Sequence, residues 1–445
     1  MMRKAVPYLL AAALIVTCMP AHAQDEVAYA PTIEVKAYAE ADAAVFFRSP
    51  PQTGNSVTAD GVAGIEISGP LPDDFEMAVK PEFRWSAGSG TTGEKVRFID
   101  DGRQRPLFTF AEAWIAKQAG PVRIKAGKQI RAWGSSDLFS PSDDLNAYDQ
   151  LDPPEAYKIG EPMLVVTYSE RDFAVEALVM PWFTPDRLPA RDNPWARSTS
   201  RIADAVEEST GRRPEILLGE RQLPDAFEPA QFGGRITSSA LVPGTDVFFS
   251  GFRGISRVPV LLPRLDTIRF IYLDFEYPAY AEFAAGFSTV LGSFELHGEA
   301  AWHLTDKHDR EDDYVAFVLG ARRDFAVANT GALSNVRVIL EYAGEAITRH
   351  KAENSEYITT PFDRPIPNSL LGQVTLDFGD DTSFSAGTIV NLDDGDYAFD
   401  SGLRHRIGEG LIAKAGLRLF GGPRDTYFGE WRSNDQVYAS IAWTP

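Results

Sequence analysis

The residues of this chain best suited to chemistry are carboxylates and imidazoles recurring at every second position. Glu295, His297, Glu299 and His303 share one face of the segment Phe294 to His303, where Phe294, Leu296, Gly298, Ala300 and Trp302 take the other. Two imidazoles beside two carboxylates could hold a divalent ion or supply the base of a hydrolase. Their spacing matches no ligand motif, however, and no serine stands beside either histidine, so the expectation is no enzyme, no metal and no cofactor, with both histidines as solvated wall residues. A second candidate is the crowd Asp143, Asp144, Asn146, Asp149 and Asp152, which could hold calcium. It lacks the glycine and terminal glutamate of an EF-hand loop, and polar loop and helix-cap duty is the default for such residues.

Charges at alternate positions run through the whole chain. The basic set is Arg84, Arg123, Lys125, Arg131, Arg322, Arg337, Arg404, Arg406, Lys414 and Arg418. The acidic set is Glu76, Glu82, Glu112, Glu176, Glu295, Glu299, Glu341, Asp377 and Asp400. Set around a channel, such groups line a permeation path and tune its selectivity; set on adjacent strands, they also neutralise one another. Arg123, Lys125 and Arg131 carry one sign and form the expected basic wall, with Glu295 and Glu299 as the acidic counterpart elsewhere on the circumference.

The elements that must position these groups have a period of two rather than 3.6, over segments of about ten residues. Ile33, Val35, Ala37, Ala39, Ala41, Ala43 and Val45 alternate with Glu34, Lys36, Tyr38, Glu40 and Asp42, and Leu411, Ala413, Ala415, Leu417 and Leu419 with Lys414 and Arg418. Alternation alone also suits a soluble sheet with one wet face. Three features turn the apolar face toward lipid. Short connections such as Leu71-Pro72-Asp73-Asp74 and Ile407-Gly408-Glu409-Gly410 alternate with long polar ones, as at the two ends of an outer-membrane barrel. Aromatics gather near segment ends, at Phe46-Phe47, Trp85, Trp133, Trp182-Phe183, Trp302, Phe420 and Trp443, where interfacial girdles lie. The last segment, Gln436 to Trp443, resembles the amphipathic closing strand of outer-membrane proteins, although Thr444 and Pro445 follow its final aromatic.

The expected fold class is therefore all-β, a transmembrane antiparallel up-and-down β-barrel of about 18 strands with short periplasmic turns and long extracellular loops. Sixteen strands remain possible if one short segment is a loop hairpin. Thr267 to Glu276 is read as an extension of the strand after Pro278. Residues 134–160 and 181–230 are the two longest loops; the first, with Asp143, Asp144 and Asn146, is the expected constriction loop, and the second holds a short helix capped by Ser198 or Thr199, with Ile202, Ala205 and Val206 on one face and Gly211 at its stop.

Composition bounds the remaining choices. Of 445 residues 44% are hydrophobic, with 43 Lys+Arg against 63 Asp+Glu and a single cysteine. That excludes a disulfide scaffold and a helical membrane protein, and so acidic a chain is no expected nucleic-acid partner. The one long apolar run follows Arg3 and Lys4 and ends at Ala21-His22-Ala23, the pattern of a signal peptide over 1–23, leaving the barrel in 24–445. Its removal lowers the formal charge from −20 to −22. Cys18 lies inside this segment and follows Ile15-Val16-Thr17, which suits lipidation poorly.

The stretch Ala126-Gly127-Lys128-Gln129-Ile130-Arg131-Ala132-Trp133-Gly134, followed by Asp137 and Pro141-Ser142-Asp143-Asp144-Leu145-Asn146, resembles a motif of a porin-like proteobacterial outer-membrane family. In it Gly-[Arg/Lys]-Gln-x-x-x-Trp-Gly leads into a loop rich in Asn, Pro and Asp. Tyr277 to Ala301 is similar to the family's central hairpin. The resemblance covers about a tenth of the chain. It implies a passive conduit, or the outer-membrane part of a transport system for small or for hydrophobic, lipid-like compounds, with an envelope transporter as partner. A location in the bacterial outer membrane would add lipid, lipopolysaccharide and the barrel-assembly machinery as partners. The alternative is a surface barrel whose acidic loops bind a polysaccharide or a protein.

Overall fold

The structure is a computed structural model that describes residues 32–88, 92–189, 192–224, 230–267, 269–306, 311–327, 332–350 and 364–444. The expected signal peptide and Cys18 lie outside the described residues. Eighteen antiparallel strands form one closed barrel. Each pairs with the next in chain order, from Glu34–Phe46 on Val57–Leu71 through to Leu411–Gly421 on Gln436–Trp443. The last strand returns to the first, with Ala39 opposite Trp443 and Phe46 opposite Gln436, so the ladder has no free edge.

The period of two decides which side chains face where, because successive Cβ atoms point to opposite faces. Outward positions carry Val35, Phe83, Ile115, Phe249, Phe283, Leu319, Leu340 and Leu403, all large, apolar and exposed. The alternate positions carry Glu82, Glu176, Glu282, His297, Glu299, Glu341 and Arg418, none more than 9% exposed. A polar inside and an apolar outside invert the soluble plan, and an apolar band of this extent is not kept in water.

Three segments depart from the sequence expectation. The strand expected to reach Trp133 stops at Gln129, and the chain leaves the wall there. Trp133, far from sitting in an outer girdle, is 1% exposed and packs with Leu145, Met163, Met180, Phe252 and Tyr280; Phe46 and Phe420 are likewise buried, around Trp195 and Trp431. Finally, Phe270–Glu276 is no extension of the next barrel strand. It pairs antiparallel with Val260–Thr267 and parallel with Glu215–Gln222, making a separate three-stranded loop sheet. Non-local pairing of this kind leaves no trace in local alternation.

The expected loop helix forms over Ser200–Thr210, with Thr199 before it and Gly211 ending it at φ 70°, a left-handed stop that glycine reaches without a Cβ penalty. Ala203, with Ile202 and Val206, packs on Ile216, Ile271 and Leu273 of the loop sheet; Ala205, expected on that face, is exposed.

Candidate functional site in the lumen

The segment 130–160 folds back against the inner wall, which supplies the acceptors its backbone needs. Glu341, on strand Asn335–Arg349, accepts the backbone N–H groups of Asp137, Leu138 and Phe139 at 2.9, 2.9 and 3.0 Å. Three successive amides around one carboxylate make an anion nest. Glu299, on strand Phe294–Thr305, takes the amides of Ser135 and Ser142 at 3.0 and 2.8 Å and the hydroxyls of Ser140 and Ser142 at 2.7 and 2.6 Å. These are charge-assisted hydrogen bonds, the strong kind.

Cross-strand register sets one contact. His297, Gly320 and Glu341 stand in a row on three adjacent strands. A Cβ on Gly320 would fall 2.3 Å from His297 Nε2, so only glycine lets the imidazole reach Glu341 Oε1 across it, at 2.9 Å.

The wall on other sides is tied to the same segment. Arg418, 3% exposed, pairs with Glu155 of the segment and holds Asp400 at 2.7 Å, while Lys414 stands 3.9 Å from Glu155. Glu176 pairs with Arg131 and accepts the Trp133 indole N–H at 2.8 Å. Arg84, bonded to Glu82 at 3.0 Å, lies over the Tyr157 ring at 4.5 Å. Arg322 joins Glu295 to Asp137, the latter at 3.0 Å.

Inside the segment, Asp149 is wholly buried and accepts two bonds from Arg105 at 3.0 Å, one from Arg187, and the Tyr157 hydroxyl at 3.1 Å. Burial alone would raise its pKa, yet the Arg105 and Arg187 guanidiniums hold it well below the ordinary aspartate value. A carboxylate with a depressed folded-state pKa stabilises fully above its unfolded value and loses that contribution only as pH falls beneath it. Asp149→Asn is therefore expected to cost about 3 kcal/mol, by removing the carboxylate that two buried guanidiniums share and leaving Arg187 with Asp100 and Arg105 with Asp60 at 3.8 Å. Urea titration checks this: the gap to the parent protein should be constant from about pH 8 to about pH 5 and narrow only below about pH 4.

The structure places the remaining sequence candidates as follows. Arg123 pairs with Glu76 at 2.8 Å and Lys125 lies over the Trp114 ring at 3.8 Å, so with Arg131 engaged by Glu176 the basic wall is largely partnered. Glu112 stands opposite Lys80, Arg404 opposite Lys414, and Arg337 pairs with Asp324 at 2.8 Å. The aspartates read as a calcium candidate do not converge. Asp143 accepts the Trp133 amide at 3.1 Å and the Lys158 ammonium at 2.6 Å, and Asn146 bonds Arg131 N, Gln129 O and Ile159 O. Asp144 turns toward two other wall residues, Glu282 and His303.

Sequence reasoning missed Arg105, Arg187, Arg257, Glu282 and the serines. Arg257 pairs with Glu161 at 2.8 Å and donates to Thr184 O at 2.7 Å and Asp144 O at 3.0 Å, joining three loops. The usable signal was Ser135-Ser136 with Ser140 and Ser142, four hydroxyls in eight residues opposite two inward glutamates.

No protein-family model matches the sequence, and no curated protein matches it. Among solved structures, the chain is similar to a triple mutant of the Rhodopseudomonas blastica porin, at 11% identity over 93% of this chain and 100% of that one, with a TM-score of 0.41. It is also similar to a loop-deletion form of OmpT, an outer membrane protein of Vibrio cholerae, at 9% identity over 94% and 100%, with a TM-score of 0.44. The barrel assignment rests on the strand register itself.

Proposed function

We propose that this protein is a porin-like outer-membrane channel whose lumen is narrowed by the segment 130–160. The observation that carries the reading is a closed wall of eighteen strands, apolar outside and charged inside, with a long connection fastened to its inner carboxylates. A wall of that many strands encloses more space than its own side chains fill. A cavity of about 440 Å³ lies beside the segment, bounded by Ser135, Arg235, Phe248 and Ser288 and by the turn at Arg171.

The inner rows of arginine and glutamate favour small polar or charged solutes over the lipid-like compounds that the family resemblance implies, since an apolar passenger would displace the water that solvates those charges. On this reading the sequence's expected signal peptide delivers the chain to the outer membrane, where lipid covers the apolar band.

Planar-bilayer recording of the detergent-refolded protein tests the proposal. Stepwise ion conductance is expected, with its selectivity shifted toward cations in Arg123→Gln/Lys125→Gln. Absence of any conductance, in the parent protein and in Glu299→Ala/Glu341→Ala alike, would overturn it.

A further inference from the structure

Asp144, Glu282 and His303 converge from three elements of the lumen, each offering one ligand atom with all three atoms within 4.8 Å of one another. Glu282 and His303 are cross-strand neighbours on Ala279–Leu291 and Phe294–Thr305, and Asp144 comes from the segment folded against them. His303 is held flat between two tyrosines. Tyr280 stacks on one face at 4.1 Å and 10°, and Tyr314 on the other at 5.0 Å and 9°. The stack fixes the imidazole plane, with Nδ1 3.4 Å from Glu282 Oε2 and Nε2 4.0 Å from Asp144 Oδ2; the ring can give an ion one nitrogen only, so an ion on Nδ1 takes Glu282 as placed and Asp144 once its loop side chain turns to that edge.

Glu282 is the informative member. It is 2% exposed, and its Oε2, aimed at the histidine, has no hydrogen-bond partner among the described residues. A buried carboxylate oxygen left so is costly unless a cation or donor meets it. The neighbouring cluster of Asp137, His297 and Glu341 shows the contrast: there Glu341 already accepts three amides and the His297 ring, and nothing is missing.

We propose that Asp144, Glu282 and His303 bind a divalent transition-metal ion of the zinc class. Metal–nitrogen and metal–oxygen bonds of about 2.1 Å at a tetrahedral angle separate two ligand atoms by about 3.4 Å, which is the Nδ1 to Oε2 spacing observed. One imidazole with two carboxylates suits zinc better than calcium, which prefers oxygen alone. The Asp144 side chain is 46% exposed and gives the ion an entry from the lumen and a fourth position for water. The ion would fasten the segment 130–160 to the wall at a point that neither Glu299 nor Glu341 reaches. The assignment does not depend on what solute the barrel passes.

The test is calorimetric titration of ZnCl₂ into chelator-treated, folded protein carrying no histidine tag. One zinc per chain is expected, with affinity falling at least about tenfold (about 1.4 kcal/mol) in each of His303→Asn and Asp144→Asn. Asp144 lies in a loop, so its variant keeps the barrel, and a heat-modifiable gel band verifies folding of both. No zinc uptake by the parent protein, as expected if protons alone bridge the three groups, would overturn the proposal. So would equal affinity in all three proteins.

Discussion

Replacing Glu299 and Glu341 together by alanine is expected to release residues 135–142 from the wall and raise single-channel conductance several-fold. Each carboxylate is the common acceptor for backbone amides from one short stretch. A buried donor left without its acceptor costs about 1–3 kcal/mol, and five amides depend on these two side chains. The stretch cannot stay in place at that cost and should move to solvate its N–H groups. Limited proteolysis before and after substitution gives an independent readout, with cleavage confined to the segment while the barrel stays heat-modifiable. The single variant Glu341→Gln tests charge against shape. It keeps acceptor capacity on one oxygen only, so an intermediate effect is expected. Unchanged conductance and unchanged cleavage in the double variant would mean that the serine and amide contacts do not hold the segment.

Leu417→Arg is expected to impair assembly severely, and Arg418→Leu to leave the barrel assembled but alter its interior. Leu417 stands opposite Ser401 and Val437, and Val437 is among the exposed apolar side chains of the outer face. An arginine on the lipid face at the bilayer midplane costs about 2–4 kcal/mol. Arg418, one position away, points inward and is closed in by Glu155 and Asp400. Its loss strands two carboxylates, of which Glu155 belongs to the inner segment, so the change should be read in conductance and protease sensitivity rather than in folded yield. The fraction of heat-modifiable protein in membranes measures the first effect. Equal yields for the two variants would show that the faces are interchanged.

The wall was legible in the sequence because alternation is local. The inward parity of Glu295, His297, Glu299 and Arg418 follows from counting by twos along their segments. The site was legible only in part, for a physical reason. Glu341 is visible as a polar residue, but that it should meet the amides of Asp137, Leu138 and Phe139 some 200 positions earlier is a tertiary fact with no periodic trace. Trp133 failed the same way: an aromatic at a strand end reads as a girdle residue unless the strand ends four residues sooner and the ring turns inward. In the loop sheet, Val260–Thr267 and Phe270–Glu276 form a local hairpin, and only the parallel pairing with Glu215–Gln222 spans a long sequence separation that local alternation does not record.

The anchors of the inner segment also order events in time. Glu155 is 263 residues from Arg418, and Ser142 is 157 from Glu299, so the wall that receives the segment is synthesised long after the segment itself. Until the strands bearing Glu299, Glu341 and Arg418 have joined the sheet, residues 135–142 and Glu155 lack their acceptors and partners, although Arg131, Trp133 and Asp149 can already meet earlier strands. Docking therefore registers that the circle is complete: an unclosed barrel carries a loose, cleavable connection, and a closed one conceals it.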